Sequence, residues 1–196
     1  MKKQLTPLVN FLHEVGMLSE IPRSGFAFLG SGKQSVAEHS YRVALTAFAL
    51  AKLIPQKVDY HQLMMICLLH DLPEARIGDL NYVQKKYVKP NLDRALEDIK
   101  SASQIGEEVV AWIQDYEDGS SIEAQIAHDA DQLEILLMLK REEEMGNARA
   151  SEWFNNAVLR LTTPEAKALA ESISITPTDD WWMGDRQDPH WINGGK

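Results

Sequence analysis

The alternation of apolar and polar positions reads as a succession of helices. Leu8, Phe11, Leu12 and Val15 recur at helical spacing as far as Gly16. Thr6 before Pro7 offers an N-cap with proline at the first helical position, where its missing N–H costs nothing. A short opening helix is predicted. Residues 20–34 hold Pro22, Gly25, Gly30, Ser31 and Gly32, too much punctuation for a regular element, while Phe26, Phe28 and Leu29 are apolar enough to tie the segment down as an ordered loop. Ser35-Val-Ala-Glu38 is a capping box. The helix it opens runs to about Ile54, before Pro55, and its stretch from Val43 to Leu50 is apolar on nearly every face, which places it in the middle of a bundle.

Asp59 can cap the next helix, whose run Leu63 to Leu69 ends in His70-Asp71 ahead of Pro73. Asn81 to Pro90 is basic and aromatic, and the patterns around Leu92–Ile99 and Glu107–Trp112 predict peripheral helices. Ser120 and Glu123 form a second capping box for a long helix through Met145, stopped by Gly146. Trp153, Phe154, Val158 and Leu161 mark one more helix, and Pro164 begins another. Thr176 to Lys196, rich in Pro, Asp, Gly and Trp, is expected to be an extended tail. No segment alternates with period two. The expected class is therefore all-α, with a helical domain over 1–175 and a C-terminal tail over 176–196.

A chain of 196 residues has room for one medium domain and can bury a sizeable core. Its net charge of -9 opposes a broad nucleic-acid footprint, which needs many cations to displace counterions. Cys67 is the only cysteine, so no intrachain disulfide forms and a reducing, cytoplasmic setting is the default. The N-terminus lacks the uninterrupted apolar core of a signal peptide. Val43–Ile54 falls far short of the ~20 residues that cross a bilayer.

Three polar sites interrupt helices that otherwise demand burial: His39, the pair His70-Asp71, and an Asp within Ala127-His-Asp-Ala-Asp131. Ionisable groups in such surroundings are costly unless paired or bound to a cation, so three of them ask for a common partner. A divalent metal supplies it. Imidazole and carboxylate donors suit Co, Mn, Zn, Fe or Ni better than Mg or Ca, and the lack of a second cysteine argues against a structural zinc knuckle. At about 100° per residue, Ile126, Ala130, Leu133 and Leu137 form the buried stripe of the long helix, with Asp131 on its flank beside Ala127 and Glu134. His128 points nearly away. Periodicity favours Asp131 but leaves Asp129, on the opposite flank, open.

His70-Asp71 belongs to the longer string His70-Asp-Leu-Pro-Glu74-Ala-Arg-Ile-Gly78-Asp79. With Arg23, Ser35-Val-Ala-Glu-His39 and Ala130-Asp131 in order around it, the chain resembles the HD-domain superfamily of metal-dependent phosphohydrolases, and within it the 5′-deoxynucleotidase branch. The resemblance covers about residues 5–160. It implies an HD-type bundle that holds one divalent cation through His39, His70, Asp71 and Asp131. It also implies that Glu74 helps to activate the attacking water, that Asp79 sits close to substrate and leaving group, and that Arg23 contacts phosphate. In the characterised bacterial nucleotidase the corresponding Arg is followed by a Trp associated with choosing deoxyribose. Ser24 stands there in this chain.

Gly30-Ser-Gly-Lys33 fails as a triphosphate loop, because Ala27 and Gln34 occupy the places of the required Gly and Ser or Thr. Lys33 remains a candidate auxiliary phosphate contact. Lys85, Lys86 and Lys89 read as a solvated face, and Arg76 as a salt-bridge partner. The leading expectation is a metal-dependent phosphomonoesterase acting on nucleoside, chiefly deoxynucleoside, 5′-monophosphates. The competing ones are an HD-type hydrolase of a nucleotide polyphosphate or cyclic dinucleotide, and a helical assembly protein with an inert metal site. The resemblance is to a dimeric branch, and Trp181, Trp182 and Trp191 crowd a tail with little core of its own, so a homodimer is expected.

Overall fold

α8, Ile122–Glu144, is the element around which the others assemble. The computed structural model describes residues 2–195. Along the chain run α1 (Lys2–Met17), α2 (Phe26–Leu29), α3 (Val36–Ala51), α4 (Tyr60–Leu69), α5 (Glu74–Ile77), a 3-10 turn at Gln84–Lys86, α6 (Leu92–Ala102), α7 (Gly106–Asp118) and α8. After it come α9 (Ala150–Val158), α10 (Pro164–Ile175), α11 (Asp180–Met183) and α12 (Pro189–Asn193). The described residues hold no strand, only an isolated bridge between Pro22 and Ser35. α8 packs against α3, α4, α7, α9 and α10. Val43, Ala47, Leu50, Ile66, Ala127, Leu133 and Phe154 close the core between these helices. A second apolar cluster, including Phe11, Val36, Leu72, Ile99 and Val109, joins α1, α6 and α7 to it, and Trp112 packs against both. No helix among the described residues is long and apolar enough to cross a membrane.

Local chemistry explains most boundaries. The Ser35 hydroxyl accepts the Glu38 N–H at 3.2 Å, and the Glu38 carboxylate accepts the Ser35 N–H at 2.6 Å, so the capping box forms. Asp59 caps α4. After His70 the chain turns through Leu72 N–H to Leu69 O and Glu74 N–H to Asp71 O before α5. That bend folds His70, Asp71 and Glu74 toward one another. Arg76 on α5 is clamped by Glu14 of α1 through its Nε and Nη2, at 2.5 and 2.9 Å.

Several expectations need correction. α1 starts at Lys2 rather than Pro7, with Pro7 inside the helix and Thr6 not its cap. α2 places one helical turn inside the segment read as irregular. α8 is capped by Ser121, whose hydroxyl accepts the Ala124 N–H at 3.0 Å, rather than by Ser120. Glu123 instead accepts the Asp59 N–H at 2.7 Å and ties α8 to the start of α4. α3 ends at Ala51 and is not buried all round: Tyr41, Leu45 and Phe48 form an exposed stripe. The tail is not simply extended, since it holds α11 and α12 and is tied to α8 where Glu144 accepts from Thr178.

Candidate active site

The capping box sets α3 so that its first turn delivers His39 to the centre of the bundle, where the ring has no solvent exposure. His39 Nδ1 lies 2.9 Å from Glu134 Oε2, and a carboxylate there can only accept, so Nδ1 carries a proton and Nε2 is the nitrogen that faces inward. His70, at the C-cap of α4, is oriented the same way by its Nδ1–H donating to Cys67 O at 2.9 Å. Asp131, near the centre of α8, brings Oδ1 to 3.0 Å from His39 Nε2. Asp71 Oδ2 lies 3.3 Å from His70 Nε2 and 3.7 Å from His39 Nε2.

These side chains could share a cation. One ligand atom each from His39, His70 and Asp131 lies within 4.8 Å of the others. Buried His39 Nε2 has no hydrogen-bond partner of acceptable geometry. An orphaned ring nitrogen facing two carboxylates and a second imidazole is the donor set of a borderline divalent transition metal. Burial disfavours the charge on Asp131, yet His39 and His70 hold its carboxyl below the ordinary value; Asp71 is likewise held low against burial by His70, His39 and Arg23. Burial opposes protonation of His39, but the Asp131 and Glu134 carboxylates beside it outweigh this and push the ring up to about 9, so that a cation would take the place of the Nε2 proton.

Arg23 crosses from the loop before α2. Its Nη1 lies 3.2 Å from Asp71 Oδ2 and its Nε 3.8 Å from Asp79 Oδ2. Asp79 also accepts the Ser24 N–H at 2.8 Å. The turn that returns Asp79 to this loop depends on Gly78, whose φ of 74° and ψ of 159° lie in a region essentially closed to residues with a Cβ. Glu74 projects from the start of α5, its buried Oε2 without a partner. Burial, then Asp71 and Asp79, push its carboxyl up to about 8. Arg23, Ser24 and Asp79 open onto a cleft of about 640 Å³ whose other walls come from α2, the segment from Asn81 to Lys85, α8 and α9.

The structure thus brings together Arg23, His39, His70, Asp71, Glu74, Asp79 and Asp131, but not Lys33. The chain before Ser35 is extended, so neighbouring side chains take opposite sides. Gln34 turns inward, donating to Glu134 at 2.8 Å, and Lys33 faces a separate depression beside Arg141. Asp129 is engaged elsewhere, accepting the N–H groups of Thr162 and Thr163 at 2.8 and 2.9 Å. His128 stacks on Tyr116. Sequence reasoning missed Glu134, which orients His39 while Gln34 and Arg42 hold it, the latter at 2.7 Å. Its spacing of three from Asp131, on the same helix face, was the available signal.

A helical bundle carrying a His, a His-Asp pair and a distant Asp around one point is the HD architecture, and the chain belongs to the HD domain family, which matches residues 15–173. Among characterised relatives, the 5′-deoxynucleotidase HDDC2 of Homo sapiens is 24% identical over 174 residues, 85% of this chain and 84% of that protein. The protein of the same name from Dictyostelium discoideum is 30% identical over 140 residues, 66% of this chain and 74% of the relative. A conserved hypothetical protein from Pyrococcus furiosus superposes with a TM-score of 0.74 at 28% identity, covering 84% of this chain and 98% of its own. The fold is shared as well with a protein described as a predicted metal-dependent phosphohydrolase from Magnetospirillum magnetotacticum, at a TM-score of 0.70 and 22% identity over 87% of this chain and 93% of the other.

Proposed function

We propose that this chain is a metal-dependent phosphomonoesterase that releases phosphate from nucleoside 5′-monophosphates, deoxynucleotides among them. The observation that carries the reading is the convergence of the His39–His70–Asp131 cluster and Asp71 on Arg23, which together with Asp79 also lines a nucleotide-sized cleft. A phosphate monoester resists attack because its anionic oxygens repel a nucleophile. His39, His70, Asp71 and Asp131 would hold a divalent transition metal such as Co, Mn, Zn, Fe or Ni. When bound it supplies positive charge against those oxygens. Arg23, oriented by Asp71 and Asp79, would add a second positive charge.

Glu74 serves as the base that takes a proton from the attacking water at its Oε2. Its raised pKa in the metal-free protein suits that exchange near neutral pH, and a cation nearby would draw it back toward the carboxylate. Asp79 stands on the leaving-group side, held to the Ser24 amide. The names of the relatives support a deoxynucleotide substrate. Homodimerisation belongs to the same reading: the α3 stripe of Tyr41, Leu45 and Phe48, 61%, 52% and 46% exposed, is the kind of apolar face that association covers. A phosphate-release screen of stripped protein reloaded with Co, Mn, Mg or Zn, against ribo- and deoxyribonucleotides, tests the function. Release from 5′-monophosphates with transition metals is expected; release only from polyphosphates or cyclic dinucleotides would overturn it.

A further inference from the structure

The cleft is much larger than a phosphate group requires, and one face of α9 lines its far wall. Trp153, Asn156 and Ala157 lie at positions i, i+3 and i+4 of α9 and so form one stripe, which Arg160 continues from the turn just after the helix, while Phe154 turns into the core. The stripe begins beside the phosphate end: a Cβ on Gly25 would stand 4.0 Å from Trp153 Cζ3, which puts the indole against the Arg23–Phe26 turn. A half-buried aromatic surface next to the phosphate anchor suits the planar part of the substrate. Beyond it come polar groups with capacity to spare.

We infer that α9 and the turn after it form the nucleoside-reading wall of the cleft, that Arg160 selects bases presenting carbonyl oxygen, guanine foremost, and that Asn156 adds a contact any base edge can use. The inference rests on the nucleotide-phosphatase reading above. Among the described residues the Asn156 side chain makes no hydrogen bond, and Arg160 is in no ion pair. The one polar contact of the Arg160 side chain is Nη1 to Gln132 Oε1 at 3.4 Å. Gln132 in turn donates to Asp131 at 2.8 Å, so its amide stands between the guanidinium and the metal-binding cluster. This holds Arg160 one residue outward from the phosphate end, which Arg23 already serves.

Donor and acceptor chemistry then chooses the base. Arg160 can only donate, and Lys85, also lining the cleft, is donor-only too. Guanine offers O6 and N7 as a pair of acceptors that fits the guanidinium fork. Adenine puts its N6 amine where O6 would be, setting donor against donor. Asn156, with both a carbonyl and an NH2, can complete either edge and so strengthens binding without reversing the order.

The experiment compares kcat/KM for dGMP, dAMP and 2-deoxyribose 5-phosphate in the metal-loaded wild type and in Arg160→Ala. Calorimetric titration of 2′-deoxyguanosine and 2′-deoxyadenosine into the metal-free proteins accompanies it. Arg160 is exposed, so the variant should fold normally, as thermal melting will show. The expected result is a preference for dGMP over dAMP of about tenfold or more, the scale of one bidentate contact. Arg160→Ala should erase that preference and leave 2-deoxyribose 5-phosphate unaffected. Equal kcat/KM for both bases, or an equal loss on the base-free substrate, would overturn the inference; the latter would make Arg160 a phosphate contact. If no nucleotide is turned over but deoxyguanosine binds tighter than deoxyadenosine only when Arg160 is present, the phosphatase reading fails and the base site stands.

Discussion

Asp129 and Asp131 sit two positions apart on α8 and face different tasks. Asp129, 1% exposed, takes the N–H and hydroxyl groups of Thr162 and Thr163 and so fastens the start of α10. Its replacement by Ala strands those donors in a buried setting and should cost about 2 kcal/mol or more in chemical denaturation while metal is retained. Asp131→Ala should do the reverse, losing metal by elemental analysis. Helical periodicity could not decide between the two, because the partner of Asp129 lies some thirty residues further along the chain. The role of Glu134 was hidden for the same reason, since it depends on His39, Gln34 and Arg42, which pairing across the bundle alone brings to it. Glu74→Gln should keep the metal and the fold while lowering turnover by ~10²-fold, the range for loss of a positioned base; near-normal turnover would remove Glu74 from the mechanism. Cys67 is pushed up to about 12 by burial and by Asp131, so the thiol stays protonated at pH 8 to 9. It should resist iodoacetamide in the native state and react after denaturation. The raised value also has a sign for stability: above the ordinary pKa of 9.0 the unfolded chain releases this proton more readily, and stability falls as pH rises.

At the scale of elements, the strongest local signals were capping and periodicity. Ser35-Val-Ala-Glu38 could be read because both partners of the box lie within four residues, and the structure forms both bonds. Ser35→Ala should destabilise the protein by about 1 kcal/mol, seen as a lower denaturation midpoint. Because His39 sits one turn further on, metal affinity should weaken too, whereas an unchanged midpoint would show the cap to be redundant. Bonding to Ser35 holds the Glu38 carboxyl below its ordinary 4.5, so its stabilising effect is present above that value and disappears as pH falls through the lowered one. Ser120 and Ser121 are both competent caps, and contacts across the bundle, Glu123 with Asp59 and the Ser121 hydroxyl with Asp115, accompany the start of α8 one residue later. The apolar run of α3 suggested burial on every side. Tyr41, Leu45 and Phe48 remain uncovered because α4 and α8 take the other faces of the helix.

For the whole molecule, the all-α class was legible because nearly every segment repeats at helical period, and the site was legible where its residues fall in short strings. Its assembly was not. Trp181, at 86% exposure, and Trp182 and Trp191, at 54% and 56%, do not fold into the bundle, although Trp182 and Trp191 pack edge to face with each other. Light scattering at micromolar concentration should give the mass of a homodimer, and deletion of residues 176–196 should show whether these tryptophans contribute to it; a monomeric full-length chain would contradict the assembly. The central claim concerns the metal cluster and the ester it opens. It is tested most directly by measuring phosphate release from a deoxynucleoside 5′-monophosphate with Mn- or Co-loaded protein, beside His70→Ala carried through the same loading. The account predicts metal-dependent release by the wild type and its loss, together with the bound metal, in the variant. Equal release by the two proteins, or none by a wild type shown to carry metal, would contradict it.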